Sequence, residues 1–160
     1  MRKVVLLLIS VLWLGVLTGC ERPVMGAVEN PPNLKVCCGE AGLNLEAGAY
    51  IWSISLQNGQ TMEKIADCMH PLDQDGELPQ LTGEGGMTLS WEVSSQPDSV
   101  AVRCWPESQL GNVSAQSTEV PWEGKGFQLK EGGWIYEVTA RWNHIEGWGG
   151  SASYAFSGIG

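Results

Sequence analysis

The chain has 160 residues, 43% of them hydrophobic, with 18 acidic and nine basic side chains and a net charge of −9. So much apolar content excludes a disordered acidic tail, and the length fits one domain with a real core. The basic residues after Lys3 are scattered singly, which argues against nucleic acid as a partner.

The first element is MRKVVLLLISVLWLGVLTGC. Arg2 and Lys3 precede an apolar run, Val4–Leu17, that is broken only by Ser10. A basic start, a short apolar core and small residues at the end form the layout of an export signal. Val4 to Gly19 is 16 residues, short against the ~20 that a helix needs to cross the hydrocarbon layer. Leu17-Thr18-Gly19-Cys20 resembles a bacterial lipobox. The resemblance implies cleavage before Cys20, transfer of diacylglycerol to its thiol, and a palmitate-type lipid anchor on the extracytoplasmic face of the cell membrane. A plain secretory signal is the alternative. A thiol is the best nucleophile for lipid transfer, and several acyl chains hold a protein at about 0.8 kcal/mol per buried CH2. Loss of residues 1–19 removes Arg2 and Lys3 but no acid, so the charge falls from −9 to −11. An acidic surface does not bind anionic headgroups well, so the lipid, not the surface, is expected to hold the membrane.

Residues 20–33 read as a tether, with Pro23, Pro31 and Pro32 and little periodicity. The folded domain is expected over 34–160. Its apolar pattern repeatedly has period two. LKVCC (Leu34–Cys38) is the first strand. In Ala49–Leu56, Tyr50, Trp52, Ile54 and Leu56 share a face, and Asn58-Gly59 marks a turn. MEKIADCM (Met62–Met69) places Met62, Ile65, Ala66 and Met69 on one helical face, which predicts a short helical turn ended by His70-Pro71. Asp73–Gly86 is acidic, Gly-rich loop. Met87–Val93, Ser99–Trp105, Gly126–Lys130, Trp134–Trp142 and Ser151–Ile159 follow as strands. Their inward faces carry Leu89 and Trp91, Val102 and Cys104, Phe127 and Leu129, Tyr136 and Val138, and Tyr154 and Phe156. About seven strands without a long helix predict an all-β sandwich.

GGWIYEVTARW (Gly132–Trp142) resembles the penultimate strand of an immunoglobulin-like sandwich, through Gly133, Tyr136, Val138 and Ala140. One extra residue stands between the Gly and the Tyr, and the cysteines and core Trp are not at antibody spacing. The likeness therefore concerns architecture. It implies a corner bond from Tyr136 to nearby backbone. PDSVAVRCW, GGWIYEVTARW and SASYAF, within about residues 90–157, together resemble small lipoproteins of Gram-positive-type bacteria, and that resemblance implies no activity.

Cys37, Cys38, Cys68 and Cys104 remain beside Cys20, and four cysteines outside the cytoplasm allow three full pairings. Neighbours in a strand point to opposite faces, so a Cys37–Cys38 bond would be strained. Cys68 with one of the two is the favoured pair, with Cys104 bonded to the other or left as a buried thiol. No metal or cofactor is expected: Cys68-Met69-His70 lacks convergent partners, and no nucleophile, phosphate-loop or zinc-protease motif stands out.

Seven tryptophans follow the signal. Trp52, Trp91 and Trp134 read as core. Trp105, Trp122, Trp142 and Trp148 fall at strand ends or in loops, where they either cap the sandwich or anchor a protein or carbohydrate partner. His144 and Glu146 lie in the loop Asn143–Gly150 beside Trp142 and Trp148, so this end is the candidate binding site. Three functions are open. The first is a lipid-anchored extracytoplasmic binding or accessory module with no catalytic activity. The second is a structural envelope protein without a ligand. The third is a surface hydrolase using carboxylates such as Glu146, Asp73 or Glu84.

Overall fold

A computed structural model describes residues 22–160 other than 75, 123, 125, 144 and 145. The expected signal segment, Cys20 and His144 lie outside the described residues. Among the described residues, eleven strands fall in two packed sheets, with two short 3-10 turns at Pro71–Asp73 and Glu107–Gln109. The smaller sheet runs β2 (Ala41–Leu45), β1 (Leu34–Cys38), β6 (Thr88–Val93), β9 (Gly126–Gln128). The larger sheet runs β4 (Thr61–Ala66), β3 (Tyr50–Ser55), β11 (Trp148–Ile159), β10 (Gly133–Trp142), β7 (Ser99–Pro106), β8 (Thr118–Val120). Its seventh strand, β5 (Gln80–Thr82), pairs in parallel with the end of β11, while β3 takes the start of the same edge. The fold is a β-sandwich.

The seven strands read from alternation are present, and their apolar faces meet in one core. Leu34, Leu89 and Phe127 from the smaller sheet pack against Trp52, Val102, Tyr136, Val138 and Phe156 from the larger. β10 and β11 form the longest ladder, from Gly133↔Ile159 to Trp142↔Gly150. The Tyr136 hydroxyl accepts a hydrogen bond from the Lys130 backbone N–H at 2.9 Å. That bond spans the connection between β9 and β10 and fixes where β10 enters the sheet.

The helical turn expected over Met62–Met69 is instead strand β4 through Ala66, paired with β3 from Tyr50↔Ala66 to Ser55↔Thr61. Met62, Lys64 and Ala66 share its less exposed face. The Lys64 ammonium reaches the Glu29 carbonyl at 2.9 Å, so a charged residue stands in the apolar row and conceals the alternation. Strands β2, β5 and β8 were also not expected; β5 and β8 are only three residues long.

Residues 22–33 do not form a free tether. The Arg22 carbonyl accepts from Gln57 N–H, Val24 N–H donates to the Ser55 carbonyl, and Pro23 bridges Leu56. Trp52 donates its indole N–H to the Val28 carbonyl at 2.8 Å, and the buried Tyr154 hydroxyl donates to the Pro32 carbonyl. The segment is held because core side chains donate to its otherwise solvated carbonyls.

Candidate functional site

β10 ends at Trp142 and β11 starts at Trp148, so the turn between them brings both rings to one end of the larger sheet. The paired exposed rings expected there are not found: Trp142 is 4% and Trp148 8% exposed. Both pack on Trp52. Trp148 stacks on it at 5.5 Å between ring centroids and 26° between planes, and Trp142 meets it edge-on at 5.4 Å. The Trp142 indole N–H donates to the Ser95 carbonyl at 2.9 Å. The rings are spent on each other, and such aromatic contacts are worth about 0.5–1.5 kcal/mol each beyond burial.

The loop Asn143–Gly150 is shorter than expected because β11 runs through Gly149-Gly150. Gly150 faces Trp52 in the β3 ladder, and a Cβ on it would collide with the Ile51 carbonyl. The glycine serves close strand approach, not a mobile loop.

The structure does bring Trp142, Trp148 and Glu146 together. With Ser95, Gln96, Asp98 and Asn143 they line a shallow recess of about 190 Å³. Both rings are buried, so they offer it little surface. Glu146 is exposed, and Asp98 accepts from Asn143 N–H at 2.7 Å. Asp98 is the polar residue that sequence reasoning missed; it sits in the turn-forming stretch SSQPD, which carries no signal of its own beyond a loop. The other ring candidates lie elsewhere. Trp105, 1% exposed, faces the outer side of the larger sheet with Leu72 and Ile135. Its indole N–H donates to the Ala115 carbonyl, His70 meets its ring edge-on, and the Arg103 guanidinium lies 5.0 Å from the ring centroid. Trp122 is half-buried, tilted on Trp91 at 4.5 Å, and lines a groove of about 670 Å³ with Val100, Arg103, Glu119 and Thr139. Of the residues expected in the core, Trp52 and Trp91 are buried. Trp134 is half-buried at the core's edge, with the Lys130 ammonium 4.1 Å from its ring centroid.

Cys37, Cys38, Cys68 and Cys104 are free thiols. The favoured bond from Cys68 to Cys37 or Cys38 is not formed. Cys38 is buried with its sulfur 3.9 Å from the Met87 thioether, whereas Cys68 lies beside Gly48 at the surface. Burial pushes the Cys104 and Cys68 thiols above their ordinary value, with the Asp67 charge adding to the effect at Cys68. A raised thiol is a poor nucleophile at neutral pH. Nδ1 of His70 accepts from Leu72 N–H at 3.1 Å, so that nitrogen already caps the turn after it. Asp73 and Glu84 do not line the recess that holds Glu146. Among the described residues, no group of three or more His, Cys, Asp or Glu side chains is placed to hold a metal ion. Among them, no helix is long and apolar enough to cross a membrane.

The chain matches no protein-family model, no curated protein and no solved structure.

Proposed function

We propose that the chain is a lipid-anchored, extracytoplasmic module of immunoglobulin-like architecture that works by contact and not by turnover. The order of β7, β10 and β11 in one sheet, and the pairing of β6 with β9 in the other, follow the C–F–G and B–E arrangement of that architecture. The bond at Tyr136 has the position of its corner tyrosine. The anchor rests on the lipobox resemblance at Leu17–Cys20.

Between a ligand-binding and a structural form of this module, one observation favours the structural one. All seven tryptophans of the described chain are buried or half-buried, and the exposed large hydrophobics are Met25, Ile51, Ile65, Met69 and Val113, none of them aromatic. Stacking on a sugar ring or anchoring a partner on an exposed indole needs an accessible face, which Trp142 and Trp148 do not present. The structural envelope role is therefore the better supported. The recess lined by Asp98, Glu146, Trp142 and Trp148 keeps binding as the second reading.

Metabolic labelling with a tagged fatty acid tests the anchor: Cys20→Ser should abolish the label and release the chain. Titration of the soluble domain with cell-wall oligosaccharides, followed through the indole N–H signals of Trp142 and Trp148, tests the choice between the two forms. Unchanged signals are expected. A saturable shift that Glu146→Ala removes would restore the binding reading.

A further inference from the structure

Arg22, the first described residue, is already fastened to the sheet, its carbonyl accepting from Gln57 N–H at 3.0 Å. Val24 N–H donates to the Ser55 carbonyl at 3.0 Å, and the chain then turns back on itself, with Ala27 N–H donating to the Val24 carbonyl at 3.1 Å. Gly26, at φ +86°, makes that turn, and Met25 stands at its tip, 99% exposed. No other large hydrophobic side chain of the described chain projects so far. Cys20 is two residues before Arg22. Two extended residues reach about 7 Å at most.

We propose that acylated Cys20 draws this end of the sandwich directly against the bilayer, with the Met25 turn and the Gln57–Gln60 turn in the headgroup layer. The inference rests on the lipid-anchor reading and replaces a domain swinging on a tether by one held close in a single orientation. Charge agrees with this placement. Residues 22–28 and 56–62 contain no carboxylate and one cation, Arg22, which Glu21 offsets. The nearest exposed acids, Glu29, Glu63 and Glu146, stand beside these segments and not in them, so this end meets less repulsion from anionic headgroups than the rest would. The flexible Met25 side chain offers apolar area to the interface, and the exposed Gln57, Asn58 and Gln60 offer hydrogen-bonding groups at headgroup depth. The Gly147 carbonyl accepts from Ser55 N–H at 2.7 Å, so the exposed carboxylate of Glu146 marks the margin of this face.

The test is hydrogen exchange on the full chain, expressed with its signal and reconstituted into phosphatidylcholine–phosphatidylglycerol vesicles, against the unacylated Cys20→Ser form in solution. Peptides covering 22–28 and 56–60 should exchange about fivefold or more slowly on vesicles, while the exposed segment 111–114 should not change. A spacer of about 20 Gly and Ser residues between Cys20 and Glu21, several times the present reach, should leave the protein on the vesicles and abolish the protection. Met25→Glu, at a side chain with nothing to unpack, should weaken the protection over 22–28. Acylated protein that floats with vesicles but exchanges like Cys20→Ser would overturn the inference and leave the anchor standing. Protein that carries no lipid and does not float would remove the anchor reading, and the inference with it.

Discussion

The larger sheet buries its inner face and one end of its outer face, by different means. Its inner face meets the smaller sheet, and Tyr136, Val138, Ala140 and Trp142 enter a continuous core. Its outer face is covered at one end by irregular chain: Leu72 from a 3-10 turn closes over Trp105 and Ile135, with Leu78, Leu110 and Ala115 around them. Beside that cluster, Glu137 is buried against Arg103, to which it is ion-paired. Alternate residues of β7 and β10 therefore serve two cores of unequal size. The inner one is built by sheet packing and the outer one by loops, and segments of low local contact open more readily than the global unfolding.

The sharpest way to break this comparison is a pair of large-to-small substitutions. Trp52→Ala removes a ring with no solvent exposure that holds Trp142, Trp148 and the Val28 carbonyl. It should cost about 3–5 kcal/mol in denaturant unfolding, and the 22–33 segment should exchange faster. Trp105→Ala empties a site of equal burial in the small cluster. Its cost should lie near the lower end of that range, about 3 kcal/mol, because the loops over it can collapse inward. Exchange should rise in 71–74 and 107–115 while the β10–β11 ladder stays protected. Equal losses, with the ladder opening in both variants, would make the two faces one cooperative core.

The unequal build also explains which parts of the fold were legible in the sequence. Strands whose inner residues are all apolar, such as Thr88–Val93 and the ladder of β10 and β11, show their period directly. β4 does not, because Lys64 occupies its inner row and reaches backbone carbonyls of a segment distant in sequence. The outer cluster was equally hidden: Trp105 and Ile135 fall on the polar phase of their strands, and only the loops over them make that phase buried. Residues 22–33 read as a tether because their partners, Trp52, Tyr154 and Gln57, are side-chain or backbone groups 24 to 122 residues further on. At the candidate site, the grouping of Trp142, Trp148 and Glu146 followed from strand placement. The burial of the two rings did not, because it depends on Gly150 admitting β3 close enough for Trp52 to stack.

A smaller effect tests how firmly the inner face is set. Tyr136→Phe keeps the ring against Phe127 and Phe156 but leaves the Lys130 N–H without its acceptor. The loss should be about 1–2 kcal/mol, with faster exchange at Lys130. The same hydroxyl supplies a pH signature. Burial pushes Tyr136 up to about 12, and Tyr154 is raised further by burial alone. The unfolded chain ionises first, near pH 10, so the folded form holds more protons above that pH. Stability is therefore full below about pH 10 and falls as pH rises through about 12, and Tyr136→Phe should make that fall shallower. An alkaline limb identical in the variant would mean that the hydroxyl is not desolvated as the inner core requires.

The weakest effect belongs to the part of the outer face that no loop covers. Ile51 and Ile65 stand directly opposite each other on β3 and β4, 50% and 67% exposed. Cross-strand contact between them is worth about 0.2–1 kcal/mol, and little further burial is at stake. Ile65→Thr keeps a β-branched side chain on the edge strand and should lower the unfolding free energy by no more than about 0.5 kcal/mol, read from the denaturation midpoint at unchanged slope. The comparison predicts this order because the outer face is stabilised only where chain folds back over it. If Ile65→Thr instead cost about 2 kcal/mol, and the cost shrank on dilution of the protein, this edge would be buried against a second copy in solution. The uncovered face would then have its own cover, supplied by assembly where the covered end uses loops.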